Sequence, residues 1–383
     1  MTTRPTVLIA GGGTGGHVYP GLAVADALRS IADVDIVFAG TPRGLEARVI
    51  PERGYRLEML DVVPIKGGGV ARAVRGAAVA ARETLRAMAL VRRIRPRAVL
   101  SVGGYAAGPV SLAAAVLGVK LAILEPNSVV GFANRLLAPL AARAYVAWEE
   151  TVPRFREGRA RVVGVPLRSG FAPQAYVPRG GAPRVLVMGG SQGAQALNER
   201  MPFAIARASE QVPGLEVMHQ AGRDREVAVR EGYAREKVEH ATVSAFIEDV
   251  PREIARADVV IARAGAATVA EIAAVGRASI LVPFPYAADD HQAKNAEALA
   301  RKGGAVAIRQ ESADAVRIAS ELVRLLTDDR ARTKMAEVAR ASGRPEAALE
   351  IARDLLDLAG VPASIPKPRL VNGATLSARS EVH

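Results

Sequence analysis

The sequence contains no cysteine and few aromatic residues, and each shortage excludes a class of protein. Without cysteine the chain can form no disulfide, thiolate nucleophile or cysteine-ligated zinc site. Its histidines are scattered without a pair four residues apart, so no histidine-ligated metal is expected; they are His17, His219, His240, His291 and His383. Half of the residues are hydrophobic but only 4% are aromatic. This balance favours α/β layers packed from small aliphatic residues.

Long hydrophobic runs are also missing. No stretch approaches the roughly 18 uninterrupted apolar residues that a transmembrane helix needs. The strand-like run 6–10 begins without the hydrophobic segment and cleavage site of a signal peptide. We therefore expect a cytoplasmic protein, and its 383 residues predict two domains.

Basic residues outnumber acidic ones, which gives a formal net charge of +12. The excess is concentrated in residues 66–97, where nine basic residues accompany the single acid Glu83. The spacing predicts a helix with a basic stripe and an apolar stripe. The basic stripe consists of Arg72, Arg75, Arg82, Arg86 and Arg93, and the apolar stripe consists of Val70, Val74, Ala81, Leu85 and Met88. Such a helix can be a solvated surface helix with its apolar side in the core, or it can lie on an anionic membrane. No nucleic-acid partner is expected, because no aromatic interleaving or recognition motif accompanies the basic residues.

Short apolar runs alternate with amphipathic helical stretches along the whole chain. Continuous apolar runs are typical of parallel strands that are covered by helices on both faces. The predicted strands are Val7–Ala10, Asp35–Ala39, Arg56–Leu60, Ala98–Val102, Leu121–Leu124 and Ala144–Val146, then Arg184–Met188, Glu216–Gln220, Thr242–Ser244, Val259–Ala262, Ser279–Val282 and Ala305–Ile308.

The chain repeats one construction, a strand that enters a glycine loop and then a helix. It occurs at 7–16 and at 185–194, which predicts two doubly wound, Rossmann-like domains. We expect an N-terminal domain at 1–163, a linker at 164–183, a C-terminal domain at 184–343, a helix at 344–360 that packs back on the first domain, and a disordered tail at 361–383. Ligands of open α/β sheets bind at the carboxyl ends of the strands, so the glycine loops should face a cleft between the domains.

The first loop, Gly11–Gly16, fits the G-x-G-x-x-G pattern but does not predict a dinucleotide site. Such a site needs an acid at the end of the second strand to bind the ribose. That strand ends at Ala39-Gly40-Thr41, which contains no acid, so an NAD-dependent oxidoreductase is disfavoured. Glycines before a helix N-terminus suit an anion such as a diphosphate.

His17 opens this helix, whose dipole favours the neutral imidazole. It can be a general base for a sugar hydroxyl or only a capping or orienting residue.

Further strand ends carry glycine and polar residues, each of which is either an ordinary turn or part of a site. They are Ser101–Pro109, Glu125–Ser128, Gly189–Gly193, Arg263–Glu271 and Pro283–Gln292. Thr268 lies in the first turn of a predicted helix, and Glu271 follows one turn later, in reach of a ribose diol. Asp33-Val-Asp35 matches the metal-binding D-x-D string, but it should lie at the amino edge of the sheet, so no metal site is predicted.

Several motifs occur in order and together resemble the MurG family, the N-acetylglucosaminyltransferases that convert lipid I to lipid II in bacterial peptidoglycan synthesis. The matching segments are Gly12–Pro20, Gly103–Pro109, Glu125–Asn127, Gly189–Gly193, Phe246–Asp249 and Arg263–Glu271, with Gln292 and Asn295. The resemblance implies an α/β GT-B fold. It also implies an inverting, metal-independent transfer from UDP-N-acetylglucosamine to the C4 hydroxyl of the muramoyl sugar on undecaprenyl diphosphate, with no cofactor.

The resemblance also implies roles for individual residues. Catalytic roles fall on His17, Tyr105 and Glu271, and His17 would remove or relay the acceptor proton. Substrate contacts fall on Thr14, Gly15, Gly16, Asn127, Arg168, Ser191, Ile247, Ala266, Ala267, Thr268, Val269, Ala270, Glu271, Gln292 and Asn295. The backbone at Ile247 would bind the uracil, Glu271 the ribose, Ser191 the diphosphate and Gln292 the sugar. The N-terminal glycine loops would hold the lipid diphosphate.

The resemblance favours the membrane interpretation of residues 66–97. It places the enzyme on the cytoplasmic face of the bacterial inner membrane, as a peripheral protein. The alternatives are another GT-B enzyme that glycosylates a glycolipid, a sugar-nucleotide binder without activity and, least favoured, the oxidoreductase.

Overall fold

The computed structural model describes residues 4–62, 70–104, 106–178, 180–190, 193–363, 370–371 and 374–375, and of 70–80 it describes the backbone alone. The strands are β1 (Thr6–Gly11), β2 (Asp35–Gly40), β3 (Arg56–Met59), β4 (Ala98–Gly103), β5 (Lys120–Glu125), β6 (Arg143–Val146), β7 (Ala160–Val162), β8 (Arg184–Met188), β9 (Glu216–Gln220), β10 (Ala241–Ser244), β11 (Val259–Ala262), β12 (Ala278–Leu281), β13 (Val306–Ala307), β14 (Leu370–Val371) and β15 (Ala374–Thr375).

The helices are α1 (Gly15–Ile31), α2 (Glu46–Glu52), α3 (Val70–Ile94), α4 (Ala107–Val116), α5 (Phe132–Leu137), α6 (Gln195–Ser209), α7 (Glu226–Arg235), α8 (Val250–Arg256), α9 (Ala266–Val275), α10 (His291–Arg301), α11 (Ala315–Thr327), α12 (Asp329–Ser342) and α13 (Ala347–Ala359). None of the described helices combines the length and the apolar character that crossing a bilayer requires.

Seven strands form the first sheet in the order β3-β2-β1-β4-β5-β6-β7. In its central strand β1, Val7 is in parallel register with Ile36 of β2 and with Ala98 of β4. Val7 to Ala10 have no exposed surface, as expected for a strand covered on both faces. Every predicted strand of this half is present. β7 was not predicted, because Arg161 interrupts its three residues and leaves no apolar run.

The second sheet has six strands in the order β10-β9-β8-β11-β12-β13. Val185 of its central strand β8 is in parallel register with Val217 of β9 and Val259 of β11. Both sheets place their first five strands in the same order, so the predicted repeat of two Rossmann-like sheets is confirmed. Trp148, the one tryptophan of the chain, packs against the core of this sheet beside residues such as Ile272.

The chain forms two compact units. One contains the residues up to Leu124, Leu136–Ala144 and the part from Ala348, and the other contains Glu125–Arg135 and Tyr145–Ala347. Within the first unit, Arg143 Nε donates to Asp354 Oδ2 of α13 at 2.9 Å. Of the predicted disordered tail, β14 and β15 pair with each other in antiparallel register, and residues 364–369, 372–373 and 376–383 lie outside the described part. The predicted domain boundaries stay a prediction.

α3 is the predicted basic helix, and its buried face matches the predicted apolar stripe only in part. Met88 of that stripe packs against the core, whereas Leu85 keeps 67% of its surface exposed and Ala81 is exposed as well. The side chains of Val70 and Val74 lie outside the described part, and Ala87 and Leu90 are buried. The prediction was wrong at Ala81 and Leu85 because helical spacing gives only an angle around the axis. The helix packed along α3, α4, determines which angle is buried.

The predicted linker, 164–183, forms no helix or strand where it is described, and Arg277 binds it to the second unit. Arg277 Nη1 donates to Gln174 O at 3.2 Å and to Gly276 O at 2.8 Å, and Nη2 donates to Ala255 O at 2.6 Å. The guanidinium carbon also lies 5.5 Å from the centre of the Tyr176 ring. This part of the linker is therefore held against the unit that carries the second sheet.

Candidate functional site

Two of the predicted glycine loops contact each other through their backbones. β1 runs into the loop before α1, and β4 runs into the loop before α4. Gly12 N donates to Gly103 O at 3.2 Å. A Cβ atom at Gly11 would collide with Gly103 O, and one at Gly104 would collide with Gly12 O. Glycine at these positions therefore permits the two loops to meet at the carboxyl edge of the first sheet.

His17 lies at this contact, in the first turn of α1. Its Nδ1 is 3.4 Å from the Thr14 hydroxyl oxygen. Its ring faces Gly103, where an added Cβ would stand 3.0 Å from Nε2. The half-buried imidazole is thus held between its own helix start and the second loop. Tyr105, the other predicted catalytic residue of these loops, lies outside the described residues.

The loop before α1 uses two of its backbone amides inside the protein. Gly12 N donates to Gly103 O, and Gly13 N donates to Glu46 Oε2 at 2.7 Å. The next amides belong to Thr14, Gly15 and Gly16, the three predicted contact residues. Amides at the start of an α-helix lack acceptors within the helix and carry the positive end of its dipole. An anion at this loop would therefore bind from Thr14 onward.

The loop after β5 is folded around the buried carboxylate of Glu125. This carboxylate accepts from Asn127 N at 3.1 Å, from Gly131 N at 2.9 Å and from Asn134 Nδ2 at 2.9 Å. Burial raises the pKa of Glu125, and these hydrogen bonds oppose the increase. The loop backbone is thereby fixed as it enters α5.

The structure brings the predicted residues Asn127 and Asn295 together. Asn295 has no exposed surface. Its Oδ1 accepts from Ser128 N at 2.9 Å, and its Nδ2 lies 3.3 Å from both Asn127 Oδ1 and Ala264 O, to which it donates. Both polar atoms of Asn295 are thus engaged within the protein, and they orient the half-buried Asn127. The sequence pattern did not reveal this arrangement, because the two asparagines lie far apart in the chain.

The loop that follows β11 leads into α9 and carries most of the predicted nucleotide contacts. Ala266, Ala267, Thr268 and Ala270 are half-buried, whereas the Val269 side chain belongs to the core and can offer only its backbone. Glu271 is half-buried in the second turn of α9. Burial raises the pKa of Glu271 to about 7, and the nearby charge of Arg168 opposes this increase. The structure therefore places Arg168 and Glu271 in one electrostatic environment.

Arg263 connects this loop to the segment before α10. Its Nη1 donates to Val282 O and Pro283 O, both at 3.1 Å, and its Nη2 donates to Gln310 Oε1 at 2.7 Å. Phe284 N in turn donates to Gln292 Oε1 at 3.0 Å. The carbonyl oxygen of Gln292 is used in this bond, and its amide NH2 is the group suited to a sugar hydroxyl. Sequence reasoning included Arg263 in a motif but assigned it no role.

The remaining predicted contacts lie on two more loops of the second unit. Ile247 is half-buried beside the core in the loop before α8, whose first turn is capped by Asp249 through a 3.1 Å bond from Arg252 N. Gly193 N donates to Gly190 O at 3.0 Å between β8 and α6. Ser191 and Gln192 lie outside the described residues.

Within the described part of the chain, no group of three or more histidine and acidic residues converges. Asp33 pairs with Arg4 at 2.9 Å, and Asp35 begins β2, so the D-x-D string lies at the amino end of its strand as expected. At the described loops, backbone amides at helix starts are groups that can bind an anion, and the imidazole of His17 is a group that can accept a proton.

Comparisons with known proteins agree with this arrangement. The N-terminal domain model of glycosyltransferase family 28 matches residues 7–146, and the C-terminal domain model matches residues 184–351. A protein of Sorangium cellulosum (strain So ce56), named UDP-N-acetylglucosamine–N-acetylmuramyl-(pentapeptide) pyrophosphoryl-undecaprenol N-acetylglucosamine transferase, is 53% identical over 98% of this chain and 93% of its own. A protein of the same name from Acidithiobacillus ferrooxidans (strain ATCC 53993 / BNL-5-31) is 44% identical over 93% of this chain and 98% of its own.

A solved structure gives the same result at the level of the fold. The crystal structure of Acinetobacter baumannii MurG superimposes with a TM-score of 0.78 at 31% identity, over 92% of this chain and 99% of that one. Together with the two parallel sheets, this confirms the predicted α/β fold of the GT-B class. The chain belongs to the MurG family of N-acetylglucosaminyltransferases, within glycosyltransferase family 28.

Proposed function

We propose that this chain transfers N-acetylglucosamine from UDP-N-acetylglucosamine to the C4 hydroxyl of the muramoyl sugar of lipid I, which forms lipid II. The observation that carries the proposal is the 53% identity over 98% of the chain to the Sorangium cellulosum transferase. The glycine loops at the carboxyl edges of two parallel sheets support it, since they present helix N-termini that suit diphosphate groups.

The direct test is transfer of labelled N-acetylglucosamine from its UDP derivative to a lipid I analogue, with EDTA present. We expect a disaccharide product under these conditions, because the described loops offer amides and arginines to the phosphates. UDP-glucose and UDP-galactose serve as competing donors, and efficient transfer from either would favour another glycolipid glycosyltransferase. Transfer that requires added magnesium or manganese would contradict the metal-independent mechanism.

The chemistry that we propose is a single displacement with inversion at the anomeric carbon. His17 accepts or relays the proton of the attacking hydroxyl, and its half-buried position against Gly103 supports this role. The amides from Thr14 to Gly16 bind phosphate oxygens. Tyr105 is retained as a catalytic candidate from the family resemblance alone.

In the second unit, we assign the donor nucleotide to the loops around α9 and α10. Glu271 would accept hydrogen bonds from the ribose hydroxyls, and Arg168 beside it would favour the ionised carboxylate. Gln292, fixed through Phe284 N, would donate to the sugar. Ile247 and Ser191 keep their proposed contacts with the uracil and the diphosphate. Helix N-termini would stabilise the departing UDP, an electrostatic effect that is often the largest in catalysis.

We further propose that the enzyme lies on the cytoplasmic face of the plasma membrane through the basic segment 66–97. In the described part of this segment, Leu85 of α3 leaves 67% of its area exposed. Arg82 and Arg86 flank Leu85 and both pair with Glu83. Apolar side chains beside arginines suit the boundary between anionic headgroups and acyl chains.

A further inference from the structure

Glu46 is a buried acid beneath the loop that precedes α1. It begins α2, and only 1% of its surface is exposed. Its Oε2 accepts from Gly13 N at 2.7 Å, and its Oε1 accepts from the backbone nitrogen and the hydroxyl of Thr41, both at 2.9 Å. A buried carboxylate is costly unless such donors satisfy it. Both oxygens of Glu46 are therefore committed, one to the glycine loop and one to the end of β2.

The space around this carboxylate is formed by glycines from three segments. A Cβ atom at Gly12 or Gly44 would collide with the carboxyl group of Glu46, and one at Gly40 would stand 2.5 Å from its Cγ. The side chain therefore occupies a closely fitted cavity and cannot move without moving the loop. Gly13 is held at a φ of +93° by this contact, a conformation that glycine adopts without strain.

The position of this negative charge has a consequence for anion binding. The carboxylate uses the Gly13 amide and repels a second anion from that part of the loop. The amides from Thr14 onward are then the ones left for a phosphate. The same loop contacts the Gly103 loop and carries His17 at the start of α1.

We infer that Glu46 is a positioning residue for the transfer reaction. Through Gly13 it holds the loop Gly11–Gly16 in one conformation, which aligns His17 and directs an anionic diphosphate to the amides of Thr14 to Gly16. This role rests on the proposed function, because the reaction is one of its readouts. Both oxygens of Glu46 are engaged within the protein, so the role assigned to it is to position the loop and not to contact the substrate.

The test compares Glu46→Gln with Thr41→Val. The NH2 group of a glutamine at position 46 must face either the Gly13 amide or the Thr41 amide. Whichever backbone N–H it faces then has another donor in place of its acceptor. We expect turnover to fall by at least about tenfold, since small displacements of reacting groups are costly, while the dissociation constant of UDP stays unchanged. Thr41→Val removes one donor from the other carboxylate oxygen and keeps the Gly13 bond, so its turnover should match that of the wild type.

Hydrogen exchange of the Gly13 amide supplies a readout that needs no substrate. It should become faster in Glu46→Gln and stay slow in Thr41→Val. Unchanged exchange or unchanged turnover in Glu46→Gln would overturn the inference, as would equal losses of turnover and thermal stability in both variants. If Glu46→Gln does not fold, Glu46→Asp, whose shorter side chain cannot span both partners, is measured in the same way. A wild-type protein that transfers no sugar refutes the proposed function, and the exchange result then still decides the role of Glu46 in the loop.

Discussion

His17 is the residue on which the proposed proton transfer depends. We expect His17→Ala to lower kcat by about 10²- to 10⁴-fold, the usual contribution of a general base, and to leave the dissociation constant of UDP unchanged. Steady-state kinetics and titration calorimetry measure the two quantities. His240→Ala, at an exposed histidine before β10, is the control and should behave as the wild type does. Full turnover by His17→Ala would leave His17 with an orienting role only.

Glu271 should make donor binding depend on pH. Its pKa is raised to about 7 by burial, whereas ribose hydroxyls donate to the ionised form. The affinity for UDP-N-acetylglucosamine should therefore fall as the pH is lowered through about 7. Calorimetry across this range checks the effect, and Glu271→Gln should bind more weakly and lose the dependence. A wild-type affinity that is constant from pH 6 to 8 would contradict the assignment.

The same shift predicts the sign of a change in stability. Burial holds the pKa of Glu271 in the folded protein above the ordinary glutamate value of 4.5, so folding favours the protonated form. The free energy of unfolding should then decrease as the pH rises from about 4.5 to about 7. Thermal melts of the wild type and Glu271→Gln, compared at each pH, isolate this contribution, because glutamine does not titrate.

Residue types could be predicted from the sequence more readily than their partners. Asn127 and Glu271 were identified in motifs that follow strands, and the family resemblance added Asn295. The motifs did not show that Asn295 is buried and bonded to Asn127, since that contact depends on how distant segments pack. The sequence motifs gave no role to Glu46. The signal that could have identified it is the cluster of glycines at positions 12, 40 and 44, which leaves room for one buried side chain.

At the scale of elements, α3 is the part of the chain that the membrane proposal concerns. Each arginine near an anionic surface contributes about 1 kcal/mol, so Arg82→Gln with Arg86→Gln should weaken binding to anionic vesicles by roughly tenfold or more. Sedimentation with vesicles of phosphatidylglycerol measures this. Leu85→Gln should also weaken binding, and because Leu85 is largely exposed the fold should tolerate it.

A matched control lies on α11. Arg317 and Arg324 both pair with Glu321, as Arg82 and Arg86 pair with Glu83. The double substitution Arg317→Gln with Arg324→Gln removes the same charge from another surface. Equal loss of vesicle binding in both double variants would show that net charge, and not α3, causes the association.

The course of α3 was predictable but its buried face was not. Charge and apolar spacing repeat with the helical period, so the helix itself follows from local sequence. Which positions enter the core depends on the elements packed against α3. Ala87 belongs to the core cluster that contains Ala113 and Ala114 of α4, whereas Leu85 stays exposed. Element type is a local property, whereas orientation is a tertiary one.

For the whole molecule, Arg277 should contribute to stability through the linker. Arg277→Met keeps the aliphatic stem but leaves the carbonyl groups of Gln174, Ala255 and Gly276 without this donor. We expect the free energy of unfolding to fall by about 1–3 kcal/mol, with kcat retained at 25 °C. Urea titration followed by the fluorescence of Trp148, which lies against the same core, measures the change. Arg353→Met, at an exposed position, should have little effect, and equal effects of the two would contradict this role of Arg277.

The two-sheet architecture could be predicted because each buried strand is a continuous apolar run and because the strand, loop and helix construction recurs. The division into compact units was less accessible. Residues 125–135 belong with the second unit although residue 125 is the last of β5. Within this unit Asn295 bonds to Asn127 and Ser128. Such long-range contacts leave no periodic trace in the sequence.

The meeting of the Gly11 and Gly104 loops also bears on inhibitor design. An added methyl group at either glycine would collide with the carbonyl oxygen of the opposite loop. A compound that binds the backbone at this contact would therefore recognise a surface that substitution of Gly11 or Gly104 cannot alter without separating the loops.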